Sequence, residues 1–362
     1  MNGTTLHDLL ARARNRERTQ PGIDAQHWLV YGAGRIGRSW VRALADSGRT
    51  VHGFIDRQAV GTPEMPVYRL ADCPPELKSR CSVLLALHNP GVDVAEVQAA
   101  LRGAGYGEPW LLQDLVDAWP GQAHFWLASS AESLSHEADI HHAYERFADE
   151  SSRQLFRAIL DQRLNGQAAG LPTPDPGHHY LPRDLSPPGA PLRFVDCGAY
   201  TGDTIESFRS AGHAFDAIAA FEPDPQHFPR LCAALAGEKA AVFPCGVWDS
   251  MTQLRFVSDD SASHISDHGE IIVQTVALDQ ALPGFAPSYI KMDIEGAEPQ
   301  ALQGGQALIA AHRPRLAISV YHRPRDLWEL MLQVDRMGLD YQFHLRSHAL
   351  NSFETVLYAL PR

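Results

Sequence analysis

The run FVDCGAYTGDT at residues 194–204, followed by FEPDP at 221–225, constrains this chain more than any other feature. An apolar run, Leu192 to Val195, ends in Asp196, turns through Gly198 and Gly202, and leads into Ile205 and Phe208 at helical spacing. A second run, Ala217 to Phe221, ends at Glu222, 20 residues past Gly202. In a doubly wound sheet, an acid at that distance closes the second strand and accepts both hydroxyls of a ribose, while glycines in the first turn let the ligand approach. The order is Asp-x-Gly-x-x-x-Gly, not G-x-G-x-x-G. An acid before the first glycine suits a ligand with an amino group, which a pyrophosphate lacks. S-adenosylmethionine (SAM) has that group, and a carboxylate for the helix N-terminus as well. Asp196, Gly198, Tyr200, Gly202 and Glu222 are therefore the cofactor candidates. Asp203 and Thr204 join them, either bonding the cofactor or completing the helix cap.

Further motifs follow in fixed order: CGVWD (Cys245–Asp249), SYIKMDIEGAEPQALQGG (Ser288–Gly305), RLAISVYHRPRDLW (Arg315–Trp328) and FETVLYAL (Phe353–Leu360). With VDCGAYTGDT and FEPDP, they make residues 192–360 resemble the FkbM-type SAM-dependent methyltransferases. The resemblance implies O-methylation, with a sugar hydroxyl on a glycan or glycolipid precursor as first acceptor class and a natural-product hydroxyl as second. It also implies that Trp248 and Asp249 line the adenine, Asp249 accepting from its exocyclic amine.

At 362 residues the chain is long enough for two cores. A net charge of -12 offers nucleic acid and anionic membranes no general attraction. The start, Leu6 to Arg18, reads as a charged amphipathic helix rather than a signal peptide, and no run reaches the length of a membrane span. Five scattered cysteines without CxxC spacing fit reduced thiols, so a cytoplasmic setting is expected.

The expected architecture is α/β. Residues 1–125 read as a smaller Rossmann-like unit, 126–191 as bridging helices and a Pro-rich linker, and 192–362 as a class I methyltransferase sheet. In the first unit, WLVY, GAGRIG, a helix over Ile36–Ser47 and VHGFID place Gly32, Gly34, Gly37 and Asp56 as a G-x-G-x-x-G turn with its acid. That turn either holds a nucleotide such as NAD or is purely structural. Helical spacing runs from Glu132 to Asn165. Gly166–Pro191, with seven prolines and four glycines, reads as an ordered or semi-rigid linker. Strands are expected near 192–196, 217–221, 241–244, 288–292 and 315–320. Tyr341–Arg346 and Phe353–Tyr358 form an antiparallel pair at the edge.

Lys291, Asp293 and His322 are the catalytic candidates. Strand alternation puts Lys291 and Asp293 on one face, close enough to pair. Asp293, Glu295 and His322 stand just past strand ends, where ligand crevices form. They either take the proton of an acceptor hydroxyl or hold a divalent metal ion; otherwise Asp293 caps the following helix and His322 orients a loop. Ser258–Glu270 is a polar stretch that reads as a lid or as a plain loop. His141, His142 and Glu145, and likewise His178 and His179, read as solvated or locally bonded rather than as metal ligands. Two rival functions stand beside methyl transfer: an NAD(P)-dependent oxidoreductase using Gly32 to Asp56, and a non-catalytic scaffold. The oligomeric state is not legible.

Overall fold

The computed structural model describes residues 5–15, 25–58, 60–87, 89–119, 126–166, 170–258 and 263–362. It falls into two compact units. One takes the chain up to Glu137 with Leu155–Thr173 and Ala349–Phe353, the other Ala138–Gln154, Pro174–His348 and Glu354–Arg362.

The first unit runs α1 (Leu6–Asn15), β1 (His27–Tyr31), α2 (Arg35–Asp46), β2 (Thr50–Ile55), β3 (Val67–Tyr68), α3 (Pro75–Arg80), β4 (Ser82–Leu85), α4 (Val94–Gly103), β5 (Trp110–Leu111), α5 (Leu112–Ala118) and α6 (Ser130–Leu134). The end of the expected first helix, Arg16 to Arg18 with Asn15 before it, lies largely outside the described residues, α1 closing at Asn15. The five strands pair in parallel in the order β3-β2-β1-β4-β5. Period-two alternation feeds two cores. Trp28, Val30, Phe54 and Leu84 pack on one face, and Leu29, Tyr31, Ile55, Val83 and Leu85 on the other. In the glycine turn, Gly32 sits at φ +100°. A Cβ on Gly37 would lie 1.9 Å from Gly32 O, so α2 closes on the turn only with glycine there. The Asp56 carboxylate accepts from Ala33 N–H and from Gln58 N–H, each at 2.8 Å.

α7 (Glu137–Arg146) and α8 (Glu150–Asn165) follow. The segment 126–191, expected as bridging helices and a linker, divides between the two units. Its residues 138–154 are fixed to the edge of the second unit's sheet. Ala148 N–H donates to Phe343 O at 2.9 Å, and Arg346 reaches Asp149 at 3.0 Å.

The second unit contains β6 (Leu192–Cys197), α9 (Asp203–Ser210), β7 (Phe215–Phe221), α10 (Phe228–Ala234), β8 (Ala240–Phe243), β9 (Gly246–Val247), β10 (Thr252–Val257), β11 (His264–Ile265) and β12 (Ile271–Val276). It continues with α11 (Leu278–Ala281), β13 (Tyr289–Met292), α12 (Glu298–Gly304), α13 (Gln306–His312), β14 (Arg315–Ser319), α14 (Asp326–Asp335), β15 (Tyr341–Ser347) and β16 (Thr355–Pro361). Seven strands form one sheet in the order β15-β16-β14-β13-β6-β7-β8, with β16 antiparallel to both neighbours and the other pairs parallel. This is the class I methyltransferase arrangement, edge hairpin included. Phe194, Phe208 and Tyr289 lock α9 to the sheet at ring separations of 5.0 to 5.6 Å.

A second sheet, β11-β10-β12-β9, was not expected. TQLRFV of β10 alternates, Gln253 and Arg255 exposed and Leu254 and Phe256 turned inward, so it is a half-buried strand rather than an apolar run like those of the main sheet. Of the polar stretch Ser258–Glu270, residues 259–262 lie outside those described, while His264–Ile265 pair with Phe256–Val257 as β11. The Pro-rich segment is ordered where described. Tyr180 N–H donates to Tyr358 Oη at 3.0 Å, and Asp175 N–H to Ser347 O at 3.1 Å. Among the described residues no helix is long and apolar enough to cross a membrane.

Candidate active site

The strands β6, β7 and β13 end side by side, and a cavity of about 620 Å³ opens over their carboxyl ends. Gly198 follows β6 at φ +81°, and a Cβ on it would lie 2.0 Å from Asp293 O. Only glycine lets these two strand ends meet. Tyr200 takes a left-handed backbone, φ +48°, and Gly202, φ +92°, opens α9. The turn is tied to β7 throughout: Gly198 and Ala199 N–H donate to Phe221 O at 3.1 and 2.9 Å, and Tyr200 N–H donates to Glu222 Oε2 at 2.8 Å.

Glu222 is 6% exposed and lines the cavity. Its Oε1 accepts from Asp224 N–H at 2.8 Å. Each oxygen has spent one acceptor position on the backbone and keeps another for a ligand. Burial pushes this carboxyl up to about 7, against the pull of the two backbone donors. Around it, Phe221, Val247, Phe256, Ile265, Val273 and Ile294 give an apolar wall, and Tyr200, Asp203 and Thr204 line the helix side. Trp248 and Asp249, half-buried, are not among the lining residues; Asp249 takes the Ser250 hydroxyl at 2.6 Å.

Asp196 is completely buried and faces Lys291 Nζ at 3.1 Å, a pairing that the parallel register of β6 and β13 dictates. Lys291 therefore pairs with Asp196 rather than, as expected, with Asp293. Asp293 lies past the strand end, free of the pleat that would keep it beside Lys291. Lys291 Nζ also donates to Gly198 O at 2.7 Å. Burial pulls this ammonium down, but Asp196 and Asp293 push it up further, so it is a fixed cation beneath the turn and not a proton acceptor.

Asp293 accepts from Tyr180 Oη–H at 2.9 Å. Burial raises its carboxyl, but Lys291 and His322 outweigh that and hold it at about 2. It does not cap α12, whose start carries no side-chain cap; Glu298, the first residue of that helix, instead accepts from Ile294 N–H at 2.9 Å and ties the preceding loop to it. His322 is 2% exposed, with Nδ1 2.9 Å from Glu298 Oε1 and Nε2 3.4 Å from Asp293 Oδ1 and 3.6 Å from Glu295 Oε2. Burial lowers this imidazole, yet Glu298 and Glu295 carry it to about 10. A buried, charged imidazole that does not line the cavity is badly placed to take a substrate proton, contrary to the expectation for His322 as a base.

The residues that sequence reasoning missed come from distant segments. His179, Tyr180, His348 and Glu354 also line the cavity, with Tyr180 bonded to Asp293. His179 stacks on Tyr180 at 3.8 Å, and its Nε2 is 3.4 Å from Glu354 Oε2. Burial drives His179 down to about 3 and Glu354 up to about 7. Tyr180, Tyr200, Glu295 and Glu354 all adopt positive φ, between +48° and +64°, and all line the cavity. Such backbone persists only where its surroundings hold it, and it clusters at functional sites. His178, by contrast, bonds Asp175 locally at 2.8 Å, and His142 is 59% exposed beside Asp335. Among the described residues, Asp293, Glu298 and His322 form the group with metal-ligand spacing.

In the first unit, the Gly34 side of the turn is open. A Cβ there would meet nothing within 4 Å, so packing does not explain that glycine.

The family model of the methyltransferase FkbM domain matches residues 196–345. No curated protein matches the chain. In fold it is similar to the crystal structure of methyltransferase FkbM from Methylobacillus flagellatus, at 22% identity and a TM-score of 0.77, with 98% of each chain covered. Slighter likenesses extend to Aeropyrum pernix fibrillarin with bound SAM, at 10% identity and TM-score 0.28 over 47% of this chain and 66% of that one. A Streptococcus thermophilus rRNA methylase aligns at 15% identity and TM-score 0.30 over 46% and 85%. The glycine turn, Glu222 and most of the lining of the cavity fall within residues 196–345, the segment that matches the FkbM methyltransferase domain, while Pro176, His179, Tyr180, His348 and Glu354 line the cavity from outside it.

Proposed function

We propose that this protein is a SAM-dependent O-methyltransferase whose acceptor is a hydroxyl of a sugar, a glycan precursor or a natural product. Glu222 carries the reading. A buried carboxylate that already organises the turn through Tyr200 N–H, and keeps acceptor positions toward the cavity, suits a ribose diol. The other features fit SAM too: an apolar wall for the purine, the Lys291 ammonium and the start of α9 for the carboxylate. Asp196, screened behind Lys291, supports that ammonium instead of reaching the ligand itself. SAM, when bound, supplies a methyl group already activated by its sulfonium.

What remains for the chain is alignment, exclusion of water and removal of one proton. Glu354 is the group best placed to accept the hydroxyl proton. It lines the acceptor end, is held in strained backbone by its surroundings, takes the Tyr321 hydroxyl at 3.2 Å, and sits close to the operating pH. A wall of carboxylates, imidazoles and Tyr180 hydroxyl suits a polyol acceptor better than an apolar one. The net charge of -12 supports a small molecule or glycan over nucleic acid, and the cytoplasmic setting stays part of this proposal. Calorimetric titration with SAM tests it: folded Glu222→Ala should bind at least tenfold more weakly, and unchanged affinity would remove the assignment.

A nucleotide at the first unit's glycine turn is a second reading. What favours it is that Asp56 repeats the Glu222 arrangement, one oxygen on the turn and the other on the N–H two residues on, beside the open flank of Gly34.

A further inference from the structure

We propose that Asp293, Glu295 and His322 bind a divalent metal ion at the acceptor end of the cavity, with Glu298 orienting the imidazole. Three buried atoms there make no hydrogen bond: Asp293 Oδ1, Glu298 Oε2 and His322 Nε2. Of these side chains, Glu298 is 0% and His322 2% exposed. Nε2 is not ignored by its neighbours; Asp293 Oδ1 stands at 3.4 Å and Glu295 Oε2 at 3.6 Å, too far or too misaligned for bonding. Ligands about 2.0–2.2 Å from a common ion stand about 2.8–3.1 Å apart at right angles and about 3.3–3.6 Å apart at the tetrahedral angle, so these separations are those of neighbours in one roughly tetrahedral coordination shell.

The other ring nitrogen completes the pattern. Nδ1 is 2.9 Å from Glu298 Oε1, and Glu298 is itself anchored by Ile294 N–H. A carboxylate on Nδ1–H holds the ring so that Nε2 becomes the coordinating nitrogen once an ion displaces its proton. Charge points the same way. Lys291 is matched by Asp196 and Arg323 by Asp326, so Asp293, Glu295 and Glu298 converge on a single imidazole. An ion would restore the balance. Glu295 is held toward the others at φ +54°, a conformation that packing of an ordinary surface loop does not require.

Two oxygens and one imidazole nitrogen suit Mn²⁺, Fe²⁺ or Zn²⁺ better than Ca²⁺. Asp293 and Glu295 line the cavity, so vacant coordination positions would face the acceptor hydroxyl. Only this last role rests on the methyltransferase reading; the site itself does not.

Mn²⁺ titration of the full chain, followed by the loss of the free-ion paramagnetic resonance signal, tests the site. One ion should bind the wild type, and Asp293→Asn and Glu295→Gln should each weaken it at least tenfold. Circular dichroism and SAM calorimetry on the same samples report whether the variants are folded. Glu295, at the cavity rim, is the variant least exposed to misfolding. No Mn²⁺ binding by the wild type at millimolar concentration would overturn the proposal, as would wild-type Mn²⁺ affinity in folded Glu295→Gln. Either result with SAM affinity intact sinks the metal site alone.

Discussion

Replacing Glu222 by Gln keeps the side-chain volume and removes the charge, and its consequences are calculable from the structure. The carboxylate serves Tyr200 N–H and Asp224 N–H, one on each oxygen. An amide offers one acceptor and turns an NH₂ group toward the other donor, leaving a buried N–H unmet at about 1–3 kcal/mol. The same change costs the ribose one of its two acceptors, so SAM affinity should fall by at least tenfold. The pH dependence is more diagnostic. With its pKa near 7, Glu222 is half-protonated around neutrality in the free protein, and one pH unit below it only about a tenth is ionised. SAM binding to the wild type should weaken about tenfold from pH 8.5 to pH 6. In Glu222→Gln that component should vanish, while titration of the ligand's own amino group remains in both proteins. For stability the sign is opposite to a salt-bridged acid. A carboxyl raised from 4.5 to about 7 favours the fold below pH 4.5 and loses that contribution as pH rises through 7. The wild type should therefore lose stability relative to the variant between those limits. Calorimetry at pH 6, 7 and 8.5 checks the binding, and denaturant melts check the linkage. Identical pH profiles in wild type and Glu222→Gln would refute the reasoning.

Three further outcomes are expected. Gly198→Ala, which drives a methyl to 2.0 Å from Asp293 O at a positive φ, should lower the unfolding free energy read from urea melts by more than about 2 kcal/mol and abolish SAM binding; a stable, binding variant would show that the strand ends separate freely. Gly34→Val should melt close to wild type, since its Cβ meets nothing, but should eliminate binding of NAD, NADP or a nucleotide-sugar if the first turn holds one; calorimetry on wild type and variant decides between ligand turn and structural turn. Glu354→Gln should leave SAM affinity unchanged and reduce turnover on the accepted hydroxyl by about 10²–10⁴-fold, a loss that full turnover in the variant would contradict.

Much of this was legible because local chemistry and topology agree. Gly198, Gly202 and Glu222 lie within 25 residues, and their places match their residue types and spacing: two glycines at positive φ and an acid at a strand end facing the cavity, whereas Asp196 turns to Lys291 rather than to the cavity. The central strands of the seven-stranded sheet, β6, β13 and β14, are almost wholly buried and read as apolar runs. The acceptor end was opaque for the complementary reason. Tyr180 arrives from a Pro-rich segment whose pattern shows no element, pinned there by Tyr289 and Tyr358, which lie more than 100 positions away. Glu354 looked like the start of a strand, and nothing local reveals that it turns left-handed toward His179. Alternation alone paired Lys291 with Asp293, where the neighbouring strand supplied Asp196. The small sheet built on β10 and β12 escaped because its strands are half exposed and alternate, unlike the apolar runs that mark the centre of the main sheet.

The ties between Glu222 and the glycine turn also bear on the thermodynamics of encounter. Tyr200 is already fixed in its unusual conformation by a carboxylate and by the β7 carbonyl row, with no ligand required. Ordering a loose backbone residue costs about 1–2 kcal/mol, so a turn of five residues that closed only around its ligand would surrender several kcal/mol of affinity. Here that ordering belongs to folding instead. The cofactor then meets a rigid mould, and its association should be fast, weakly temperature-dependent in structure and governed by fit at the walls rather than by assembly of the loop. The acid at the end of Asp56's strand makes the same two ties in the other unit, so each unit carries a turn set in advance.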